Sequence, residues 1–305
     1  MLILLGVLGF TIFEPTMIFT SPKTIEIKDG ATLNDIAKTL QDNGIILESY
    51  SFKIWAHLTG NERTFKSGIY EIMPVRTVFD LFSTLSKGVK PKEILVTIVE
   101  GFTTKDVAER LFDKGIVKNF DDFYNFIKKD EGYLYPDTYY FYENESYESI
   151  VSKMKKRLLE LLPQNFKELA QSKGLTEGEV IVLASIVEKE AKFDEDRSLI
   201  ASVFLNRLKI GMPLQADSTI LYALGLHKEW LSKEDYKIDS PYNTYKYTGL
   251  PPTPICNPSI KSILAVLQAP NTNYYYFMTT PEGHAIFSKT LEEHEKNLRK
   301  YYGRH

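Results

Sequence analysis

The stretch 180–191, V-I-V-L-A-S-I-V-E-K-E-A, constrains this chain most. It is mostly apolar, yet it carries two carboxylates at its C-terminal end. Thr176 is placed to cap a helix, and Glu179 three residues later completes a capping box. At about 100° per residue, Val180, Leu183, Ala184, Val187 and Ala191 form one apolar stripe, widened by Ile186. Ser185 and Lys189 fall opposite it. Glu190 falls between Ile186 and Leu183, inside the apolar arc, and Glu188 falls at the other flank, between Ala184 and Ile181. A carboxylate set into an apolar face must be paired, protonated or functional, because an unpaired buried charge is costly. A raised pKa suits a general acid. The plainer alternative is a flank glutamate paired with Lys189, Lys192 or Arg197, and the helix alone leaves both readings open.

The remaining chemistry narrows by exclusion. A net charge of −3, mixed along the chain, gives no basic surface for a nucleic-acid partner. The single cysteine, Cys256, rules out an intrachain disulfide and a cysteine metal site. His57, His227, His284, His294 and His305 show neither HExxH nor any tight ligand spacing, so no metal is expected. No glycine-rich phosphate loop and no G-x-S-x-G elbow occurs, so no cofactor and no serine triad is expected. What is left is a helix-borne glutamate followed by loops rich in Gln, Asp, Asn, Thr and Tyr. With 13% aromatics, such loops suit a carbohydrate cleft, or simply satisfy their own backbone.

Along the chain, residues 2–13 are continuously apolar or small, interrupted at Glu14-Pro15 and resumed at Met17–Phe19. A spanning helix needs about 20 such residues. We expect an N-terminal membrane anchor over 1–20, although no Lys or Arg precedes it and the positive-inside rule gives no orientation. A signal-like segment and a buried core helix are the alternatives. Residues 21–90 read as a small α+β subdomain. It has a strand over Thr24–Lys28, a helix capped by Thr32, a helix over Ser49–Leu58, a strand over Gly68–Ile72 and a helix over Thr77–Leu85. The β-α-α-β order resembles a LysM module, which binds N-acetylglucosamine-containing glycans; the extra helix departs from it, and a structural spacer is the alternative.

Residues 91–305 read as a larger mixed α+β domain, opening with a strand over Ile94–Val99. Helices are expected over Thr104–Lys114, Lys118–Lys129, Tyr147–Leu162, Arg197–Lys209, Ser218–Leu224, Pro258–Ala269 and Leu291–Tyr301. A hairpin is expected from Tyr274–Thr279 and Ala285–Phe287. The segments 131–139, 212–218, 240–245 and 249–255 read as structured loops, with Asp217 or Ser218 capping the helix that follows the second.

Five segments in order then carry a specific resemblance: E-G-Y-L-Y-P-D-T-Y (131–139), L-A-S-I-V-E-K-E (183–190), A-S-V-F-L-N-R-L-K-I-G-M-P-L-Q-A-D (201–217), P-Y-N-T-Y (241–245) and T-G-L-P-P-T-P-I-C-N-P (248–258). Together they resemble the YceG-like family of endolytic murein transglycosylases, over roughly Lys23 to the C-terminus. The chain departs from the pattern at Thr253, where a smaller residue is common, and at Cys256, where Ala is frequent. Its N-terminal apolar run is also shorter than the family's anchor.

The resemblance implies a single-pass protein of the plasma membrane with its catalytic domain outside the cytoplasm, a LysM-like subdomain, and internal cleavage of nascent peptidoglycan strands. Peptidoglycan strands are the implied partner, with peptidoglycan synthases as candidate associates. Carried over by position, the second Glu of E-K-E, Glu190, is the catalytic acid. Gln215, Asp217, Tyr242, Asn243 and Thr244 become candidate substrate-binding residues, and Glu188 a supporting one. Gln215, Tyr242 and Asn243 are expected to offer hydrogen bonds to the transition state. Asp217 is a second carboxylate that raises the pKa of Glu190 if it lies close. A lysozyme-like hydrolase using Glu190 and Asp217, and a non-catalytic glycan-binding scaffold, remain as alternatives.

Overall fold

The structure, a computed structural model, describes residues 19–74, 77–88, 93–143, 145–226 and 230–303. It divides into two compact units, up to residue 92 and from residue 93. Both are mixed α+β, with small two-stranded antiparallel sheets among the described residues. Among those residues no helix is long and apolar enough to cross a membrane. The apolar run read as an anchor falls almost wholly on residues 1–18, outside the described part.

In the first unit β1 (Lys23–Ile27) pairs with β2 (Gly68–Ile72), Ile25 opposite Tyr70. Two helices intervene, α1 (Leu33–Asp42) and α2 (Ser49–Leu58), and α3 (Val78–Lys87) follows. The strands alternate, sending Ile25, Ile27, Tyr70 and Ile72 inward against Leu40, Phe52, Leu81 and Leu85. Capping boxes start α1 (Thr32 with Asp35) and α3 (Thr77 with Asp80), because each threonine hydroxyl takes a backbone N–H that the helix leaves unpaired.

The second unit begins with β3 (Glu93–Thr97), then α4 (Thr104–Asp113) and α5 (Phe120–Ile127). The segment read as a loop to Tyr139 instead yields a strand, β4 (Thr138–Tyr142), antiparallel to β3 with Val96 opposite Tyr139. Its alternation buries Tyr139 and Phe141 against α4 and α6 (Tyr147–Leu161), and this burial makes T-Y-Y-F-Y a strand. A short helix not anticipated, α7 (Phe166–Ser172), anchors Phe166 and Ala170 in the second core.

That core surrounds α8 (Glu177–Glu190), which is followed by α9 (Arg197–Lys209), α10 (Asp217–Leu224), α11 (Ile260–Leu267), the hairpin β5 (Tyr276–Thr279) and β6 (Ala285–Ser288), and α12 (Leu291–Tyr302). The capping box of Thr176 with Glu179 starts α8 as the sequence predicts. The one-sided stripe does not hold: every residue from Val180 to Val187 is buried, Ser185 included. A helix apolar on all sides is one enclosed by its neighbours, here α7, α9, α10 and α11. Ser185 is accommodated because its hydroxyl donates to Val182 O (2.7 Å) and accepts from Ile255 N–H (3.0 Å).

Candidate active site

The last turn of α8 emerges from this core, and its two acids part company. Glu188 is held on one side. Its carboxylate pairs with Arg197 (3.1 Å) and accepts the Ser259 N–H (2.9 Å) and hydroxyl (2.6 Å). Arg197 is itself buried, and also reaches Asp194 (3.0 Å) and Ser262 Oγ (2.6 Å). This network ties the end of α8 to the starts of α9 and α11, with three contacts shared between the two carboxylate oxygens of Glu188.

Among the described residues Glu190 meets hydroxyl and amide donors. Ser218 N–H (3.2 Å) and Ser218 Oγ (2.7 Å) both donate to its Oε1. Among the described residues no cation pairs with it. The residue is half-buried overall, but its carboxyl end, set against the first turn of α10, is packed away from water. Burial raises its pKa above the ordinary carboxyl value; the Ser218 bonds pull it down, and the nearby Asp217 charge pushes it up by a smaller amount. The group is therefore biased toward the protonated form, with a defined donor geometry on one oxygen.

Ser218 forms part of the wall of a cleft of about 670 Å³, with Tyr222, Tyr242, Leu221, Ile255 and Lys189. Tyr242 packs against Tyr222, ring centroids 5.0 Å apart, and its hydroxyl bonds Thr253 Oγ1 (2.6 Å). Asp217 does not cap α10. Neither does Ser218, whose hydroxyl is turned to Glu190; Ala216 holds the cap position without a side-chain bond. Asp217 instead accepts hydroxyls from Tyr245 (2.6 Å) and Tyr236 (3.1 Å), so it is occupied on the rim. Gln215 is exposed and adopts a left-handed φ of +48°, a strained conformation for a non-glycine residue. Its N–H donates to Thr244 O (3.0 Å), which helps hold that turn.

Asn243 and Thr244 stand differently from what was expected of them. Asn243 is fully buried: its amide donates to Tyr236 O (2.9 Å) and Ile238 O (2.8 Å), and its carbonyl oxygen accepts from Tyr245 N–H (3.1 Å) and Lys246 N–H (3.2 Å). With all four bonds spent on its own loop, it shapes the rim and cannot reach a substrate. Thr244 Oγ1 accepts the Ala216 N–H (3.1 Å) and bonds Thr219 Oγ1 (2.9 Å), stitching loop 240–245 to α10.

Four further residues belong to the site. Ser218 was read as a cap, and Tyr222, Tyr245 and Glu131 were not singled out, although Tyr245 and Glu131 lie within the quoted motifs. Glu131, only 5% exposed, lines the same cleft. The loop that carries it lies so close to Pro254 that a Cβ on Gly132 (φ +87°) would sit 2.4 Å from the proline ring. Asn257, also fully buried, ties the loops together by accepting Leu134 N–H (2.9 Å) and donating to Phe102 O (2.9 Å).

The profile of the YceG-like family matches residues 25–300. The chain belongs to the YceG-like family. Relatives of this YceG-like chain include an endolytic murein transglycosylase of Bacillus subtilis, 34% identical over 91% of this chain and 84% of that protein. Another endolytic murein transglycosylase, from Streptococcus pneumoniae, is 30% identical over 90% of this chain but only 57% of its own length. The crystal structure of a yceG-like protein from Listeria monocytogenes matches with a TM-score of 0.61 and 32% identity, over 92% of this chain and all of that one.

Proposed function

We propose that this YceG-like chain is a lytic transglycosylase that cuts peptidoglycan glycan strands internally, between N-acetylmuramic acid and N-acetylglucosamine. The observation that carries the reading is the acid-biased carboxyl of Glu190, paired with no cation among the described residues and bonded by Ser218, which lines an aromatic cleft. The relatives named as endolytic murein transglycosylases support the same chemistry.

One carboxyl suffices for this reaction, whereas ordinary glycosidases use two. Protonated Glu190 gives its proton to the glycosidic oxygen, and the C1–O4 bond breaks to release the N-acetylglucosamine end as an alcohol. Ionised Glu190 then takes the proton from the muramoyl C6 hydroxyl, whose oxygen bonds C1 and closes a 1,6-anhydro ring. Glu190 ends protonated again and no water is consumed. Ser218 holds the carboxyl during both transfers, and Gln215, at its strained turn on the rim, is the polar group we assign to the sugar. Tyr222 and Tyr242 supply a face on which a pyranose ring packs.

The finer organisation is part of the same proposal. Residues 1–20 anchor the chain in the plasma membrane, 21–90 form a LysM-like glycan-binding subdomain, and 91–305 form a catalytic domain outside the cytoplasm, where peptidoglycan synthases are the natural associates. Product analysis on purified glycan strands tests the chemistry. Anhydro-muramoyl ends are expected; reducing ends alone would show hydrolysis, and no cleavage at all would favour the scaffold.

A further inference from the structure

The mechanism leaves one buried acid unused. Glu131 follows α5 and is 5% exposed, and it lines both the cleft that holds Ser218 and a second cavity of about 660 Å³ beside the 249–254 loop. Its carboxylate accepts the Thr104 N–H (3.0 and 3.2 Å to the two oxygens), the Thr104 hydroxyl (2.9 Å) and the Tyr222 hydroxyl (3.3 Å). Serving the start of α4 accounts for only part of it: Thr104 is 2% exposed, and Glu131 takes its N–H and hydroxyl. That helix already has a complete capping box, in which Thr103 Oγ1 receives the Asp106 N–H and Asp106 receives the Thr103 N–H. The box leaves the Thr104 N–H to Glu131, but neither contact with Thr104 explains why the same carboxylate also takes the Tyr222 hydroxyl at the cleft wall.

Tyr222 gives the burial a purpose. It lies four residues after Ser218 on α10, so both project from the same face, one turn apart. Tyr222 also packs on Tyr242, which is held in turn by Thr253. A continuous chain of contacts therefore runs from Thr104 through Glu131, Tyr222 and Tyr242 to Thr253. We propose that Glu131 is a positioning residue for glycan binding: it fixes the Tyr222 hydroxyl, and with it the Tyr222–Tyr242 wall, at a set distance from the Ser218–Glu190 pair. The proposal rests on the glycan reading of the cleft above.

The charge environment adds a signature. Burial pushes the Glu131 pKa up to about 7 against the three bonds that lower it, and Asp106 on α4 raises it further. Lys105 and Lys189 face the first cavity, and Lys128, Lys129 and Glu179 the second. Ionised, Glu131 holds Tyr222 by a charge-assisted bond, so glycan affinity rises as pH passes upward through about 7.

The test is a double-mutant cycle in the full chain with Glu131→Gln and Tyr222→Phe, measured two ways. Strand cleavage gives KM and kcat. Binding of an N-acetylmuramic acid–N-acetylglucosamine tetrasaccharide to the Glu190→Gln background gives Kd without turnover. Each single variant is expected to raise KM and Kd about tenfold with kcat within about twofold, and the double variant to match either single one, as expected for one shared bond worth about a tenfold change. Kd of the Glu190→Gln protein should tighten through pH 7, and this dependence should vanish when Glu131→Gln is added. Additive effects, a silent Tyr222→Phe, or a Glu131→Gln that lowers Tm with KM unchanged would each overturn the proposal and leave Glu131 a structural acid. Tyr222→Phe keeps the test decisive if Glu131→Gln folds poorly. A parent that binds but does not cleave sinks the transglycosylase reading while the Kd cycle still decides this one; a parent that neither binds nor cleaves ends both.

Discussion

Glu188 and Glu190 stand two residues apart on the same helical turn, and their surroundings make them opposites. Glu188 meets a buried guanidinium and the amide and hydroxyl of Ser259, a set that ties it into the fold. Glu190 meets the amide and hydroxyl of Ser218, burial against the first turn of α10 and a neighbouring carboxylate, a set that favours the proton. The residues upstream are shared, so the difference comes entirely from what α9, α10 and α11 bring to each side. A chemically identical side chain thus becomes a structural ion on one flank and a candidate acid on the other.

Substitutions at the two flanks can break or sharpen this contrast. Glu190→Gln should cost the largest amount, about 10³-fold or more in strand cleavage, with the fold retained by circular dichroism; residual activity near the parent level would remove Glu190 from the acid role. Arg197→Met should instead cost about 3–5 kcal/mol of stability in denaturant titration, because Glu188 is left buried and unpaired, while activity per folded molecule stays within about threefold. Adding Glu188→Gln to that variant should recover part of the loss. If Arg197→Met abolished activity in a well-folded protein, Glu188 would share the chemistry.

Asn243→Ala should cost about 2–3 kcal/mol by leaving buried backbone groups of its loop unpaired, and should raise KM through a displaced rim. Ser218→Ala removes a bond that lowers the Glu190 pKa, so the acidic group in the kcat/KM profile should move to higher pH, with a rate loss of about tenfold. The smallest effect is on stability against pH. Glu190 is raised in the folded state from 4.5, so its contribution is fully present below 4.5 and is lost as pH rises through its folded value. Glu131 behaves likewise between 4.5 and about 7, and the Gln variants should flatten their respective parts of the curve.

Much of the local structure was legible because it depends on neighbours in sequence. The caps at Thr32 and Thr176 mark helix starts within one turn, and Gly68–Ile72 and Ser49–Leu58 carry their own patterns. The reading failed where distant packing decides. The strand at Thr138–Tyr142 exists by pairing with Glu93–Thr97, some forty residues away, as the Thr97–Thr138 partnership shows. The helix at Phe166–Ser172 is too short to announce itself. The one-sided stripe on α8 understated an enclosure made by helices on all sides.

For the site, the sequence by itself determined that a carboxyl would end an apolar helix and that polar, aromatic loops would follow. It could also rank Glu190 over Glu188, from the wheel and the family pattern. Which acid is neutralised by Arg197, which is bonded by Ser218, and which polar loop residues face inward were decided only by tertiary structure. Asn243 looked like a substrate ligand and is spent on its loop; Glu131 looked like a turn residue and is buried at the cleft by Thr104 and Tyr222. The reason is physical. A residue type sets what a side chain can donate or accept, but its solvation and partners, which fix its charge, come from elements 27 to 91 residues away.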